Sequence, residues 1–263
     1  MPTLRKSSIL TLPAPSNRGK ALVLLCLGAA LVCAVLLSLR MGSQAYTTSQ
    51  LLHALMNRDT QDPIWRILIH VRLPRTLAAL LSGCALAVAG TLTQGVLNNA
   101  MASPNVIGVN AGAGFFAMLA VTLFPGVPGL LPAASFFGAL VTAMVIYLLA
   151  GRGGMSRTTL ILAGLAISSM LTAGMDTITL LYPDQVVGAS GFMMGGLSGV
   201  TLSSIRSAAG YLLTGLLLAA FLAVDLNVLQ LGEESAGSLG MHVDRVRFLS
   251  ILAAALLAGS AVS

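Results

Sequence analysis

Long, unbroken runs of apolar residues restrict the fold of this chain more than any other feature. A helix needs about 20 consecutive apolar residues to cross a bilayer, with a range of roughly 17 to 25. Such runs cover residues 21–39, 76–97, 107–123, 131–150, 160–181 and 208–224. A seventh starts near Phe248 and is still apolar at Ser263, so it reads as a helix cut partway. Membrane-spanning strands would instead alternate apolar and polar residues in short segments. Charged residues make up 8% of the chain and the mean hydropathy is +0.92. A soluble domain carries about 25% charged residues, which excludes a soluble enzyme and a disordered chain. The expectation is an all-α, polytopic helical membrane protein, with six complete transmembrane helices, a truncated seventh, and one transmembrane domain over 1–263.

The net charge of +6 does not point to nucleic acid. The basic residues flank apolar runs and are not interleaved with aromatics, which is the pattern of membrane-flanking charge. Cys26, Cys33 and Cys84 lie inside apolar runs and read as small packing residues, not as a disulfide framework. Ser43-Gln44-Ala45 resembles a signal cleavage site, but the apolar stretch before it exceeds the roughly 7 to 15 residues of a signal peptide. An uncleaved first helix follows, with segment 1–20 in the cytoplasm.

With that orientation the inner segments carry Arg5, Lys6, Arg18, Lys20, Arg152, Arg157, Arg245 and Arg247. The outer segments carry Arg40, Arg58, Arg66, Arg72, Arg75 and Arg206, so the positive-inside bias is slight and the outer arginines need a reason. Within 40–75, the stretch Gln50 to Met56 has apolar residues at helical spacing and predicts a short amphipathic helix at the interface. The stretch 183–206 holds Gly188, Gly191, Gly195, Gly196 and Gly199 beside Phe192, Met193 and Met194. It reads as a broken or re-entrant helix on the outer side, with a glycine-rich surface loop as the alternative.

Catalytic machinery is not expected. His53, His70 and His242 all lie outside the apolar runs, and Asp176 is the one acidic residue inside them. Proteolysis within the membrane needs a nucleophile–base pair, paired carboxylates or a metal site. A phosphate-binding G-x-x-x-x-G-K-[ST] loop is also missing, so any ATP is bound by another chain, and no cofactor or metal is expected. Asp176 shares a helical stripe with Ser168, Thr172 and Thr179. Intramembrane acids face a bundle interior or a water-filled cavity, so this stripe either walls a translocation path or makes an interhelical hydrogen bond. Gly83, Ala87, Thr91 and Gly95 form a ridge of small residues suited to close helix approach. Nearby Gln94, Asn98 and Asn99 either line a pathway or cap the helix end.

The sharpest motif lies in the inner segment 225–247. Glu234, Ser235, Ala236 and Gly240 follow an E-[AS]-A-x-x-x-G spacing, and the set Glu233, Glu234, Ala236, Leu239 and Gly240 can form a short helix with a glycine turn. Such an element docks as a rigid lever in a groove of a partner.

These features together resemble the FecCD-type permeases of ABC importers for iron–siderophore complexes, haem and cobalamin. The resemblance rests on Arg72-Leu73-Pro74-Arg75-Thr76-Leu77-Ala78, Ala89-Gly90, Gln94, Asn99-Ala100-Met101-Ala102-Ser103-Pro104, Gly108-Val109-Asn110-Ala111-Gly112-Ala113, Leu160-Ile161-Leu162-Ala163-Gly164 and the 229–247 segment, all in family order. The family usually has Asn-Pro at Asn99-Ala100 and often Trp at Phe192. It has about ten spans, so this sequence looks short of its last quarter. The resemblance implies an inner-membrane permease with several partners: an ATP-binding subunit, a periplasmic or lipid-anchored substrate-binding protein, and a second permease subunit. It implies that the 233–240 helix couples to the ATPase, and that Arg72 and Arg75 dock acidic residues of the binding protein. Anchoring to lipid headgroups is the other reading of those two arginines. An ion-gradient-driven transporter or channel, with Asp176 titrating or binding a cation, is the rival function. The two differ at one residue: Asp176→Asn is expected to leave the pH profile of vesicle uptake unchanged in an ATP-driven importer, whereas a shifted pH optimum supports the rival.

Overall fold

The computed structural model describes residues 17–42, 46–57, 59, 61–127, 129–152, 156–187, 190–197 and 199–263. Ser43-Gln44-Ala45, Gly188, Arg5, Lys6 and Arg58 lie outside the described residues. The described elements are helical, and the chain divides into two compact units, Met1–Arg72 and Leu73–Ser263.

In the first unit, α1 (Asn17–Arg40) is apolar and none of its spanning window is buried. α2 (Thr48–Asn57) is the short helix expected around Gln50. The Gln50 side chain accepts a hydrogen bond from the Thr47 backbone N–H at 2.9 Å, half of a capping box, and Leu51 and Ala54 are buried one turn apart. α3 (Pro63–Ile67) starts at Asp62, whose carboxylate accepts from the Ile64 N–H at 2.8 Å, with Pro63 in the first position. A π-helical turn, Leu68–Arg72, follows.

The second unit opens with α4 (Leu73–Leu97), and the helical run as a whole extends from Pro63 to Leu97. The apolar pattern predicts a start at Thr76; helix is in fact present well before it. Pro74 has no N–H to offer the carbonyl of His70. The wide turn just before it absorbs that mismatch, so the proline does not end the helix. At its other end α4 stops at Asn98, which has φ +45, and the Asn99 N–H returns to the Gln94 carbonyl at 3.1 Å. That is a Schellman-type stop, so Asn98 and Asn99 cap the helix. The small-residue ridge is used only at its end: Gly95 meets Leu226, while Gly83, Ala87 and Thr91 are exposed. The buried face runs instead through Ala78, Ala85, Ala89, Leu92 and Val96.

A 3-10 turn (Pro104–Ile107) and Gly108 at φ +71 lead into α5 (Val109–Leu123). At 15 residues α5 is shorter than a bilayer span. α6 (Leu130–Arg152) and α7 (Arg157–Leu181) follow, then two single turns, α8 (Pro183–Val187) and α9 (Ser190–Met193). The expected broken helix is present there, largely exposed. α10 (Leu202–Leu229), α11 (Glu233–Ser238) and α12 (Val243–Val262) complete the unit. The run expected to start near Phe248 begins at Val243 and is helical through Val262 as α12, while the run expected as a complete span, 107–123, yields the 15-residue α5. Among the described residues, six helices are long and apolar enough to cross a membrane.

α12 is the hub. It packs against α4, α5, α6 and α10, and 61% of its apolar window is buried, against 11% for α7. Ala253, Ala254, Ala255 and Ala258 are all at 1% exposure or less, so neighbouring backbones come close. α5 and α6 approach through a reciprocal glycine contact. A Cβ at Gly112 would lie 2.6 Å from the Gly138 carbonyl oxygen, and one at Gly138 would lie 2.6 Å from that of Gly112. On α7, Gly164 lies against the Val106 carbonyl, leaving no room for a side chain. Gly138→Ala is therefore expected to destabilise the protein by about 1–3 kcal/mol through overpacking. Gly90→Ala, which meets open space in α4, is expected to be neutral or slightly stabilising. Thermal unfolding in detergent checks the pair, and equal midpoints for both variants would refute the close approach.

Candidate functional site

The predicted coupling residues lie on and around α11. α10 ends at Gln230, and Gly232 at φ +115 turns the chain into α11, a backbone conformation that a side chain would strain. Glu233 and Glu234 occupy the first turn, where negative charge favours the helix dipole. The Arg247 guanidinium donates from Nη2 to Glu233 Oε1 at 2.7 Å, and Asp244 Oδ1 lies 4.0 Å from Nη1. Arg247 is only 3% exposed and Glu233 is 41% exposed. Ala236 is fully buried. Glu233 and Ala236 thus fix α11 to the body of the protein. Glu234, Ser235, Leu239 and Gly240 face outward, with Leu239 at 69% exposure.

α11 stops by the same device as α4. Gly240 has φ +83, and the Met241 N–H returns to the Ala236 carbonyl at 3.1 Å. Immediately after it, the start of α12 is tied to α6. The Tyr147 hydroxyl donates to the Asp244 carbonyl at 3.2 Å, and its ring meets Phe248 edge-on at 5.2 Å. The sequence did not single out Arg247, which reads there only as a basic flank of an apolar run. Arg247 is the fifth residue of α12, behind Asp244 and Arg245, so the sequence alone does not mark it apart from its charged neighbours.

The two predicted docking arginines have different surroundings. Arg72 is 7% exposed. Its Nη1 donates to the carbonyls of Leu39 and Arg40 at 2.7 and 2.8 Å, and its guanidinium carbon lies 4.8 Å from the centre of the Tyr46 ring. The last carbonyls of a helix lack intrahelical donors, and a planar guanidinium can serve two of them at once. Arg72 therefore caps α1, unlike the surface position expected for it. Arg75, in the second unit, is exposed.

On α7, Thr172, Asp176 and Thr179 share one exposed side, joined by Ser169. The Thr179 hydroxyl donates to the Met175 carbonyl at 2.8 Å and that of Ser169 to the Leu165 carbonyl at 2.9 Å. These back-bonds keep hydroxyls satisfied on an exposed helix face. Ser168 turns toward Gly108, and its buried hydroxyl finds no partner among the described residues. Asp176 is exposed and makes no hydrogen bond or ion pair among the described residues. Apolar Leu162 and Leu180 lie beside this side, and exposed Leu165 continues the same stripe one turn before Ser169, so the polar band covers only residues 169–179.

Comparison with known proteins agrees with this architecture. Residues 30–263 match the model of the FecCD transport family. The hemin transport system permease protein of Yersinia pestis is 35% identical over 92% of this chain and 70% of its own length. The ferric enterobactin transport system permease protein FepG of Escherichia coli K12 is 32% identical over 94% of this chain and 75% of its own. The chain spans between 59% and 75% of the length of such curated relatives. A solved metal-chelate type ABC transporter in an inward-facing conformation superposes with a TM-score of 0.77 at 24% identity, covering 92% of this chain and 75% of that one, which supports the fold. The chain belongs to the FecCD transport family and is a multi-pass membrane transport protein, not an enzyme.

Proposed function

We propose that the chain is the permease subunit of an ATP-driven importer for iron chelates in the bacterial cytoplasmic membrane, with ferric siderophore complexes as its foremost cargo. The observation that carries this reading is α11. It is pinned on one side by the Glu233–Arg247 ion pair and buried Ala236, and it offers Glu234 and Leu239 outward between two glycines at positive φ. A short, fixed, exposed helix of that kind transmits displacement from a nucleotide-binding partner into the spans. The relatives support the cargo class through their names, one for hemin and one for ferric enterobactin, and both cargoes are iron chelates.

In this reading an ATP-binding subunit docks on α11. A periplasmic or lipid-anchored substrate-binding protein delivers the chelate at the opposite end, and a second permease subunit, identical or paralogous, faces the α7 band. Thr172, Asp176 and Thr179 then wall the pathway, with the expected Ser168 turned inward behind them, and hydroxyls with one carboxylate suit a bulky polar cargo better than an apolar one. ATP-driven uptake into vesicles by the assembled transporter tests the coupling role. Glu234→Arg and Gly240→Trp are each expected to lower uptake at least about tenfold while membrane levels hold, since a charge reversal or a side chain at φ +83 disrupts the docking face. Glu233→Ala is expected to act differently, lowering thermal stability by about 1–3 kcal/mol because it removes the charged hydrogen bond at 2.7 Å to the buried Arg247 guanidinium. Normal uptake in both docking-face variants would overturn the coupling role.

A further inference from the structure

Between Thr158 and Leu181, α7 holds a single ionisable residue, Asp176. It is exposed, and it makes no hydrogen bond or ion pair among the described residues. The elements that α7 packs on do not neutralise it. α5 and the turn Pro104–Ile107 carry no ionisable residue. α6 carries only Tyr147 and Arg152, toward the end that adjoins the start of α7, far from Asp176. α8 adds a second carboxyl, Asp184, in its first turn. A carboxylate in a span faces protein or a water-filled passage, because acyl chains cannot solvate it. A second copy of the chain would repeat Asp176 across a two-fold axis. A dry contact at that level would bury two unpaired acids together, so the position suits an open passage.

The hydroxyls around Asp176 add to the same sign. Ser169, Thr177 and Thr179 donate to the carbonyls of Leu165, Ala173 and Met175 at 2.9, 2.8 and 2.8 Å. With its hydrogen spent on its own helix, a hydroxyl turns only lone pairs outward. Thr172 is the remaining donor on that side. The exposed side of α7 is therefore a surface of acceptors around one negative charge. A fixed charge acts strongly on a charged cargo where low-dielectric walls enclose it. We propose that Asp176 is a specificity-determining residue that selects iron chelates without net negative charge and with outward N–H groups. Three hydroxamates balance the charge of ferric iron, and their chelators carry amide or ammonium donors that match this surface. Three catecholates leave a trianion that presents acceptors to acceptors. This rests on the importer reading and on the place of α7 in the pathway.

The test is ATP-driven uptake into vesicles by the full assembled transporter with its binding protein. The probes are ferric complexes of one linear tris-hydroxamate whose terminal amine is free, acetylated or succinylated, so that a single shape is cationic, neutral or anionic. A ferric tris-catecholate is the fourth. The free-amine complex is expected to enter about tenfold faster than the succinylated one. Asp176→Asn is expected to bring that ratio down to about twofold, and Asp176→Lys to reverse it. The binding protein is the same throughout, so its own preference cancels between variants. ATP-driven uptake with a ratio unchanged in both variants would overturn the role of Asp176 and leave the importer reading standing. Equal loss of every complex, with the permease pair dissociating on size exclusion, would assign the carboxylate to the subunit contact and overturn the proposal. Uptake of the tris-catecholate alone would overturn the cargo class but not the importer. No ATP-driven uptake of any of the four would sink both.

Discussion

Helices that share a bilayer gain nothing from hiding apolar surface from water, because lipid tails are as apolar as leucine. Their cohesion comes from how closely the backbones can approach, and this protein meets that constraint with alanine and glycine. The alanine face of α12 lets four other helices converge on one axis, and the Gly112–Gly138 contact joins α5 to α6 almost backbone to backbone. Large side chains are correspondingly displaced outward: Leu162, Leu180 and Phe221 are all exposed. The usual pattern of a soluble protein is partly inverted: bulky side chains crowd the outside as well, although Ile107, Leu222 and Leu257 are fully buried.

That inversion explains what could and could not be read from the sequence. The existence of the spans was legible because hydropathy depends only on composition over a window. The face each helix buries was not, since a run that is apolar all round has no amphipathic period to follow. The ridge through Gly83, Ala87 and Thr91 looked like a packing stripe, yet Ala85, Ala89 and Leu92 carry the contact. Boundaries failed where local chemistry outweighed hydropathy. The apolar run starts at Thr76, yet a π turn lets helix continue through Pro74, and Arg245 and Arg247, assigned to the inner segment, lie in the first turns of α12.

The coupling motif shows the same division. The glycine spacing and the acidic first turn were visible as a pattern, and both appear as α11. The division of labour within the motif was not visible. Glu233 and Glu234 are adjacent in sequence, yet one is held by a buried arginine fourteen residues on and the other faces water. A helix turns about 100° per residue, so neighbours on a short helix diverge. Likewise Arg72 and Arg75, three apart, differ because one meets the open carbonyls of α1 and the other is exposed.

The attachment of α11 has a mechanical corollary. Interiors packed to this density are nearly incompressible. The Arg247 anchor sits at the root of the one helix that touches most of the others, and Tyr147 fastens that root to α6 as well. The compliance of the assembly therefore resides in its two glycine joints, Gly232 and Gly240, and not in the contact between α11 and the bundle. A load on Leu239 strains those joints first, and once they stiffen it is borne by α12 and α6 together.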